Sequence, residues 1–391
     1  MMFTDLLWEV ESEILSRVPA TFLKKFRFTC KRWYNLTKEP SFIKKNSGKA
    51  ATQMLLKKKK SVLPFNIDFH GIHNRYDQFI EFTGKLESPK DSEDVKVSEI
   101  SHCEGLILCK TKDKRLVVWN PCTGQTRWIQ SSTMHHSCFL GYENNNKSCN
   151  SYKILRCSYD NNDQGATVAK FEIYEFNSDS WRVLDVTHEW FACSEVSVSL
   201  KGDTYWLDSD EVDGLINHIV RFDFTRERFE RLPLPFPSHG YNEELAVLSV
   251  VREEKLAVLR QLWFDMVNDL KMKIWLTNTQ TDEAKGLSWS EFLVVDFNKL
   301  GIHGMTRASS FLVDEETKKV LCCDTDMDDD YRTTVYVVGE DIHKEVYREI
   351  PTGSWSWQCP LLISYVPSLV EIPTKAVTLV SGGNEISQII N

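Results

Sequence analysis

The sharpest charge run in the sequence is Asp324, Asp326, Asp328, Asp329 and Asp330. Carboxylates at the first, third and fifth positions of a loop are what a calcium ion takes. Such a loop also needs glycine at its sixth position and a bidentate glutamate at its twelfth, whereas Asp329 and Val335 stand there. The run therefore reads as a solvated loop between two strands. His135-His136-Ser137-Cys138 sets imidazoles beside nucleophile types. Neighbours on a strand point to opposite faces, however, so this segment reads as a plain loop or strand end. His102-Cys103-Glu104 reads as a strand entry, because Gly105 follows where a hairpin bend belongs. No nucleophile elbow, dinucleotide-binding turn, phosphate loop or zinc-protease pair occurs. The eleven cysteines form no C-x-x-C pair, and Cys103, Cys109 and Cys122 are wrongly spaced for a zinc ribbon. The expectation is a reduced compartment with most thiols in apolar cores, no catalytic residue, no metal and no cofactor.

The elements that carry these residues fall into two unlike parts. Residues 1–60 hold 14 Lys and Arg against 5 Asp and Glu, a balance of +9, and the remainder balances at −18. A basic head on an acidic body points to two domains with separate jobs, and an acidic body is a poor partner for nucleic acid. The most apolar window, 361–370, is too short for a membrane span, and Met1 to Val10 lacks the basic flank of a secretory signal. From Leu6 to Val18 the apolar residues Leu6, Leu7, Val10, Ile14, Leu15 and Val18 keep helical spacing, which Pro19 ends. A second helical pattern follows Thr21, a plausible N-cap, with Phe22, Leu23, Phe26, Cys30, Trp33 and Tyr34, while Phe28 falls off that face and Pro40 stops the run. These stripes are wider than one packing face needs, so a module this small leaves apolar area for something else to cover.

Past Lys57 to Lys60 the pattern alternates as strands do. A unit recurs in which a strand ends in an aromatic, a polar turn follows, and the next strand opens with an aromatic. Its lead aromatics are Trp119, Tyr174, Phe222, Trp275 and Tyr336, spaced by 55, 48, 53 and 61 residues. Tighter hairpins lie between them, as at 198–206, 250–258 and 311–321. Two hairpins per period make a four-stranded propeller blade, and a period near ~50 is kelch-like. A sixth blade is expected from both ends of the chain, with Pro360 to Val366 beside strands from Phe65 to Phe82. A two-sheet sandwich is the alternative.

These residues carry a resemblance. The run 13–21, followed by Thr29-Cys30-Lys31-Arg32-Trp33 and Pro40-Ser41-Phe42-Ile43-Lys44-Lys45, resembles the F-box of plant F-box proteins. His102 to Cys109, Arg115 to Pro121, Gln125 to Ile129, Ser151 to Arg156, Asn177 to Asp185, Leu232 to Phe236 and Ser364 to Leu369 resemble the plant F-box associated interaction domain. The resemblance implies an all-α F-box module at 1–48, a basic linker at 49–64, an F-box associated β-domain at 65–372 and a flexible tail at 373–391. It implies a non-catalytic substrate receptor of a Skp-cullin-F-box ubiquitin ligase in the cytoplasm or nucleus. A Skp-type adaptor would dock on Leu6, Leu7, Ile14, Leu15, Val18, Pro19, Leu23 and Trp33, and join the protein to a cullin scaffold. Members of that family usually carry Leu-Pro where this sequence has Leu6-Leu7. The target-binding residues are not legible, although Trp355 and Trp357 share one face of an alternating segment and suit a rim. A propeller enzyme with a helical cap, and an F-box protein acting outside ubiquitination, are the competing readings.

Overall fold

The computed structural model describes residues 8–47 and 53–373, except for 59–60, 71–79, 84–96, 112, 114, 131–135, 145–150, 162–166, 186–195, 210–215, 238–243, 263–269, 279–286, 303–306, 327–331 and 350–359. Four helices come first: α1 (Trp8–Ser16), α2 (Ala20–Phe26), α3 (Lys31–Leu36) and α4 (Pro40–Ser47). The stretch expected as one helix after Thr21 is therefore two. The turn at 27–30 divides it, and the Cys30 thiol caps α3 by accepting from the Trp33 amide. Thr21 does not cap α2, which starts one residue earlier behind Pro19. Pro40 opens α4 instead of merely ending a run, a position where its missing N–H is no loss.

Among the described residues twenty-four strands then build six four-stranded antiparallel sheets, and the sandwich alternative is excluded. The first blade joins the two ends of the chain in the order β24 (Leu361–Tyr365), β1 (Gln53–Lys58), β2 (Ser61–Ile67) and β3 (Ile80–Phe82). Four blades follow in simple sequence: β4 (Val97–Cys103), β5 (Leu106–Thr111), β6 (Leu116–Trp119) and β7 (Thr126–Ile129); β8 (His136–Glu143), β9 (Ser151–Asn161), β10 (Thr167–Glu175) and β11 (Ser180–Val183); β12 (Val198–Leu200), β13 (Asp203–Ser209), β14 (Ile216–Asp223) and β15 (Arg228–Pro233); and β16 (Glu244–Val251), β17 (Lys255–Leu262), β18 (Lys271–Thr277) and β19 (Trp289–Asp296). The last blade runs from β20 (Ala308–Asp314) through β21 (Lys319–Asp326) and β22 (Arg332–Val338) to β23 (His343–Arg348). The ring closes where β24 pairs with β1, from Gln53 opposite Tyr365 to Lys57 opposite Leu361.

This closure corrects the expected linker. Residues 53–58 and 61–67 are strands, so most of the segment 49–64 belongs to the first blade, and β24 pairs with β1 instead of a strand beyond Phe65. Lys57, within the expected basic linker, is buried and its ammonium donates to the Ser98 carbonyl at 2.9 Å. Its methylene stem lies along the sheet, which is how a lysine serves a strand interior.

Six apolar cores lie between the six pairs of neighbouring blades. Strand period two sorts each strand between two of them. Ile107, Cys109, Val117 and Trp119 face the first blade, meeting Leu55, Ile363 and Tyr365, whereas Leu106, Leu108, Leu116 and Val118 face the third, meeting Leu140, Ile154 and Tyr174. Burial on both faces explains why such strands read as unbroken apolar runs. The lead aromatics all point backwards: Trp119, Tyr174, Phe222, Trp275 and Tyr336 each enter the core shared with the preceding blade. Phe65 on β2 supplies the sixth such contact, facing the last blade.

Polar groups stitch the same joints. Lys153 of the third blade reaches the Phe224 carbonyl and Glu227 of the fourth, Lys255 of the fifth reaches Glu315 of the sixth, and Lys319 of the sixth reaches the Phe69 carbonyl of the first. At the hub, the Ser249 hydroxyl donates to the Phe311 carbonyl at 2.7 Å and the Ser310 hydroxyl accepts from the Leu362 amide at 2.9 Å. These two bonds tie the inner strand of the fifth blade to that of the sixth, and the sixth to that of the first.

Gly141 on β8 is one of the closest approaches between blades. The Tyr142 amide donates to the Gly202 carbonyl, and a Cβ on residue 141 would lie 2.2 Å from the Phe224 ring and 2.4 Å from that carbonyl oxygen. Gly141→Ala is expected to lower the denaturant midpoint, by about 1–3 kcal/mol of stability, because backbone and not only a side-chain tip must shift. Glu253 gives a pH-dependent test. It sits in the β16–β17 turn with a positive φ of 56°, and its Oε1 is buried with no hydrogen-bond partner. Burial, with the nearby Glu104 charge adding to it, raises the carboxyl from 4.5 to about 7. Below pH 4.5 the group is protonated folded and unfolded and carries no penalty; stability falls as pH rises toward 7 and the loss is complete above it. Glu253→Gln should therefore leave melting unchanged near pH 4.5 and raise it at pH 8, by the equivalent of a few kcal/mol at most. Equal melting shifts at both pH values would contradict this assignment.

Candidate docking site

The residues that looked most reactive in sequence are held inert by burial. The Cys138 thiol is pushed up to about 12 by burial, while His135 lies outside the described residues. His102 is half-buried and desolvation pushes its imidazole down to about 4, so it is neutral and accepts the Gly105 amide at Nε2. Burial also raises the thiols of Cys109 and Cys322 to about 12 and of Cys122 to about 11. Cys157 departs from the expected reduced state, since it is disulfide-bonded. Asp324 and Asp326 are on β21, opposite Thr334 and Arg332, and Asp324 is buried; 328–330 lie outside the described residues. Among the described residues no three His, Cys, Asp or Glu converge as metal ligands would. Trp355 and Trp357 lie outside the described residues.

The helical module presents a different kind of site. Its interior is made by Leu15, Ala20, Leu23, Leu36 and Phe42, completed from the propeller by Cys122 and Leu369. Asn46 on α4 pins the end of α1 by donating its side-chain amide to the carbonyls of Ser16 and Val18. Glu11 on α1 accepts the Trp33 indole N–H and pairs with Arg32 at 2.6 Å, which ties α1 to α3. With these contacts in place the module has packed the inner half of its apolar residues.

The outer half stays in solvent. Val10 and Ile14 stand one turn apart on α1, with Ile14 55% exposed. Phe22 and Phe26 stand one turn apart on α2, at 56% and 44% exposed. Phe28, 69% exposed, follows in the turn and meets the Tyr34 ring of α3 at 6.5 Å between centroids. Arg27 lies over the Phe28 ring and Lys38 over the Tyr34 ring, at 4.8 and 4.4 Å from the centroids. Lys25 and Lys31 are exposed beside them. Six large apolar side chains of the helices thus stay exposed, two of their rings under cations, which is the composition of a protein-docking surface.

Of the eight residues expected to dock an adaptor, Ile14 and Pro19 are exposed, while Val18 and Trp33 are half-buried against the module core. Leu15 and Leu23 are corrected: both are buried in that core and hold the module together. Leu6 and Leu7 lie outside the described residues. The sequence pattern included Val10, Phe22, Phe26 and Tyr34 in its wide stripes but could not tell the covered side of a stripe from the open one. Phe28, set aside as off the face, is the most exposed of the large apolar residues.

The module rests on one face of the ring. Antiparallel strands put the first-to-second and third-to-fourth turns of every blade on one face, and the second-to-third turns and blade-to-blade connections on the other. Cys122 lies in the β6–β7 turn, so the helices meet the first of these faces.

Residues 3–45 match the model of the F-box domain, and residues 53–372 match that of the F-box associated beta propeller domain. An Arabidopsis thaliana protein named as an F-box/kelch-repeat protein is 51% identical over 379 residues, spanning 95% of this chain and 97% of its own. A second from the same plant is 50% identical over 384 residues, covering 96% and 94%, and a third is 46% identical over 389 residues, covering 96% and 98%. Four helices with a complete core and an open apolar face, seated on a six-bladed ring closed by both chain ends, agree with both matches, and the chain belongs to the plant F-box proteins that carry an F-box associated β-propeller domain.

Proposed function

We propose that this protein is the substrate-recognition subunit of a Skp-cullin-F-box ubiquitin ligase. The apolar face of Val10, Ile14, Phe22, Phe26, Phe28 and Tyr34 docks on a Skp-type adaptor, which links to a cullin scaffold. The propeller holds a target protein on the face turned away from the helices. The observation that carries this reading is that the module core is already complete without those six side chains, so their exposure serves a partner and not the fold. The protein contributes no catalytic group. It raises the effective concentration of a target lysine near a charged conjugating enzyme, an entropic contribution that needs only two binding surfaces held within reach. Cytoplasm and nucleus are the compartments where such a complex works.

The basic surround adds a prediction about the partner, since Lys25, Arg27 and Lys31 beside the patch favour an acidic adaptor edge and a salt-dependent association rate. Affinity purification from plant cells with the proteasome blocked tests both halves, because it recovers adaptor and target together.

Two substitutions separate docking from folding. Ile14→Lys and Phe22→Glu change exposed side chains, so each should leave helicity and melting intact while weakening adaptor binding at least tenfold, about 1.4 kcal/mol. Leu15→Ala instead opens the module core and should destabilise it by about 2–5 kcal/mol, with any loss of binding following the loss of helix. Calorimetric binding beside far-ultraviolet circular dichroism reads the difference. Unchanged adaptor affinity in both surface variants would overturn the docking face.

A further inference from the structure

The blade-two motifs that stood out in sequence are not spent on the candidate docking face or on the far side of the ring. They converge on the segment 366–373, which leaves β24 and crosses the helix-bearing face as irregular chain. Most of this segment is buried, including Val366, Ser368, Leu369 and Ile372. Its backbone polar groups are met largely by side chains of the second blade. Asn120 donates Nδ2 to the carbonyls of Ser368 and Val370, at 3.0 and 2.7 Å. The Gln125 Oε1 accepts the Ile372 amide at 3.1 Å, and Arg127 donates to the Pro373 carbonyl. Gly105 lies so close beneath that a Cβ there would stand 2.4 Å from the Ser368 Cβ. Leu369 then enters the core of the helical module, Ser47 of α4 meets Ser368 through their hydroxyls, and Lys38 pairs with Glu371 at 3.4 Å.

We infer that residues 366–373 form a strap that fixes the orientation of the F-box on the propeller, and that Asn120 is the positioning residue on which the strap hangs. Asn120 is fully buried and every polar atom of its amide is used: Oδ1 accepts the amides of Cys122 and Thr123, which shapes the β6–β7 turn, and Nδ2 holds the strap. One side chain thus shapes the turn that presents Cys122 to the helices and holds the strap that presents Leu369. Both propeller contributions to the module core depend on it. The helices are therefore not a handle on a loose tether; the angle between the adaptor-binding helices and the ring is a built-in property. This rests on the adaptor reading for its consequence, namely that the distance a bound target spans to the conjugating enzyme is set inside this chain, but the mechanical claim stands on the contacts alone.

Asn120→Asp separates the two roles of that side chain. The carboxylate keeps acceptors for Cys122 and Thr123, loses the donor to the strap, and sets a negative charge against two carbonyl oxygens. Leu369→Ser is a second route, removing the strap's anchor from the helical core without touching the blade. The full chain carries a fluorescent donor and acceptor at Asn35 on α3 and Lys299 beyond β19, attached through unnatural amino acids, and is read by single-molecule energy transfer. Wild type should give one narrow distance population. Both variants should give a broadened distribution at least twice as wide, and Asn120→Asp, which leaves every side chain of the helical core in place, should keep adaptor affinity within twofold and a cooperative melting transition. A wild-type distribution already as broad as the variants', or variants as narrow as wild type, overturns the strap. Absence of adaptor binding by wild type would sink the ligase reading and leave the distance result to judge the strap alone.

Discussion

The pairing of β24 with β1 is the constraint on which the rest of the molecule depends. Without it the first blade has three strands and the inner edge of β1 lies open. With it, six cores follow one another around the hub and the last blade has a neighbour on both sides. An unpaired edge invites association with another chain, and closure removes two of them at the hub together. The same pairing decides where the chain goes next. Because β24 is the inner strand, the residues after Tyr365 emerge at the hub and must cross the second blade to leave, which lays them along Gly105, Asn120 and Gln125. Ring closure and placement of the helices are thus consequences of one strand.

Much of the ring was legible because each blade repeats one physical device. An aromatic on the third strand faces the preceding blade, and its large apolar area marks the period even where other residues drift. The two ends were harder to read. In β1 the apolar trio Met54-Leu55-Leu56 is followed at once by lysines, and composition there resembles a linker; only the partner strand, some three hundred residues away in sequence, makes Lys57 a buried interior position. The helices posed a different difficulty. Spacing identifies which residues are apolar on a helix but not what covers them. Leu15 and Ile14 are adjacent in sequence and both in the stripe, yet one faces Leu23 and Phe42 while the other faces solvent. The dividing line is set by Cys122 and Leu369, which come from the other domain and carry no signal within the first sixty residues.

Charge inside the ring follows a consistent rule. Lysine stems lie along strand faces and place their ammonium groups on carbonyls or carboxylates of the next blade, so that burial is offset by a donor-acceptor contact at each head. Arg156 is held more tightly, between Glu172 and the face of Trp181, 3.9 Å from the ring centroid. Glu253 is the contrast, a carboxyl with no cation beside its buried oxygen and with Glu104 as its charged neighbour. Removing either partner of a matched buried pair leaves an uncompensated charge, whereas removing the charge of Glu253 relieves one. The same ring therefore contains positions where charge holds blades together and one where it works against them.

A receptor that acts by proximity gains from stiffness. The effective concentration conferred by a flexible link falls as the volume explored grows, and a link that holds two sites at one separation avoids that dilution. In this chain the link between the F-box and the ring is residues 48–52, only 5 residues between Ser47 and Gln53. Its short span limits how far the helices can move but not how they are turned. Orientation is set by the shared core at Leu369 and Cys122 and by the carbonyls held on Asn120.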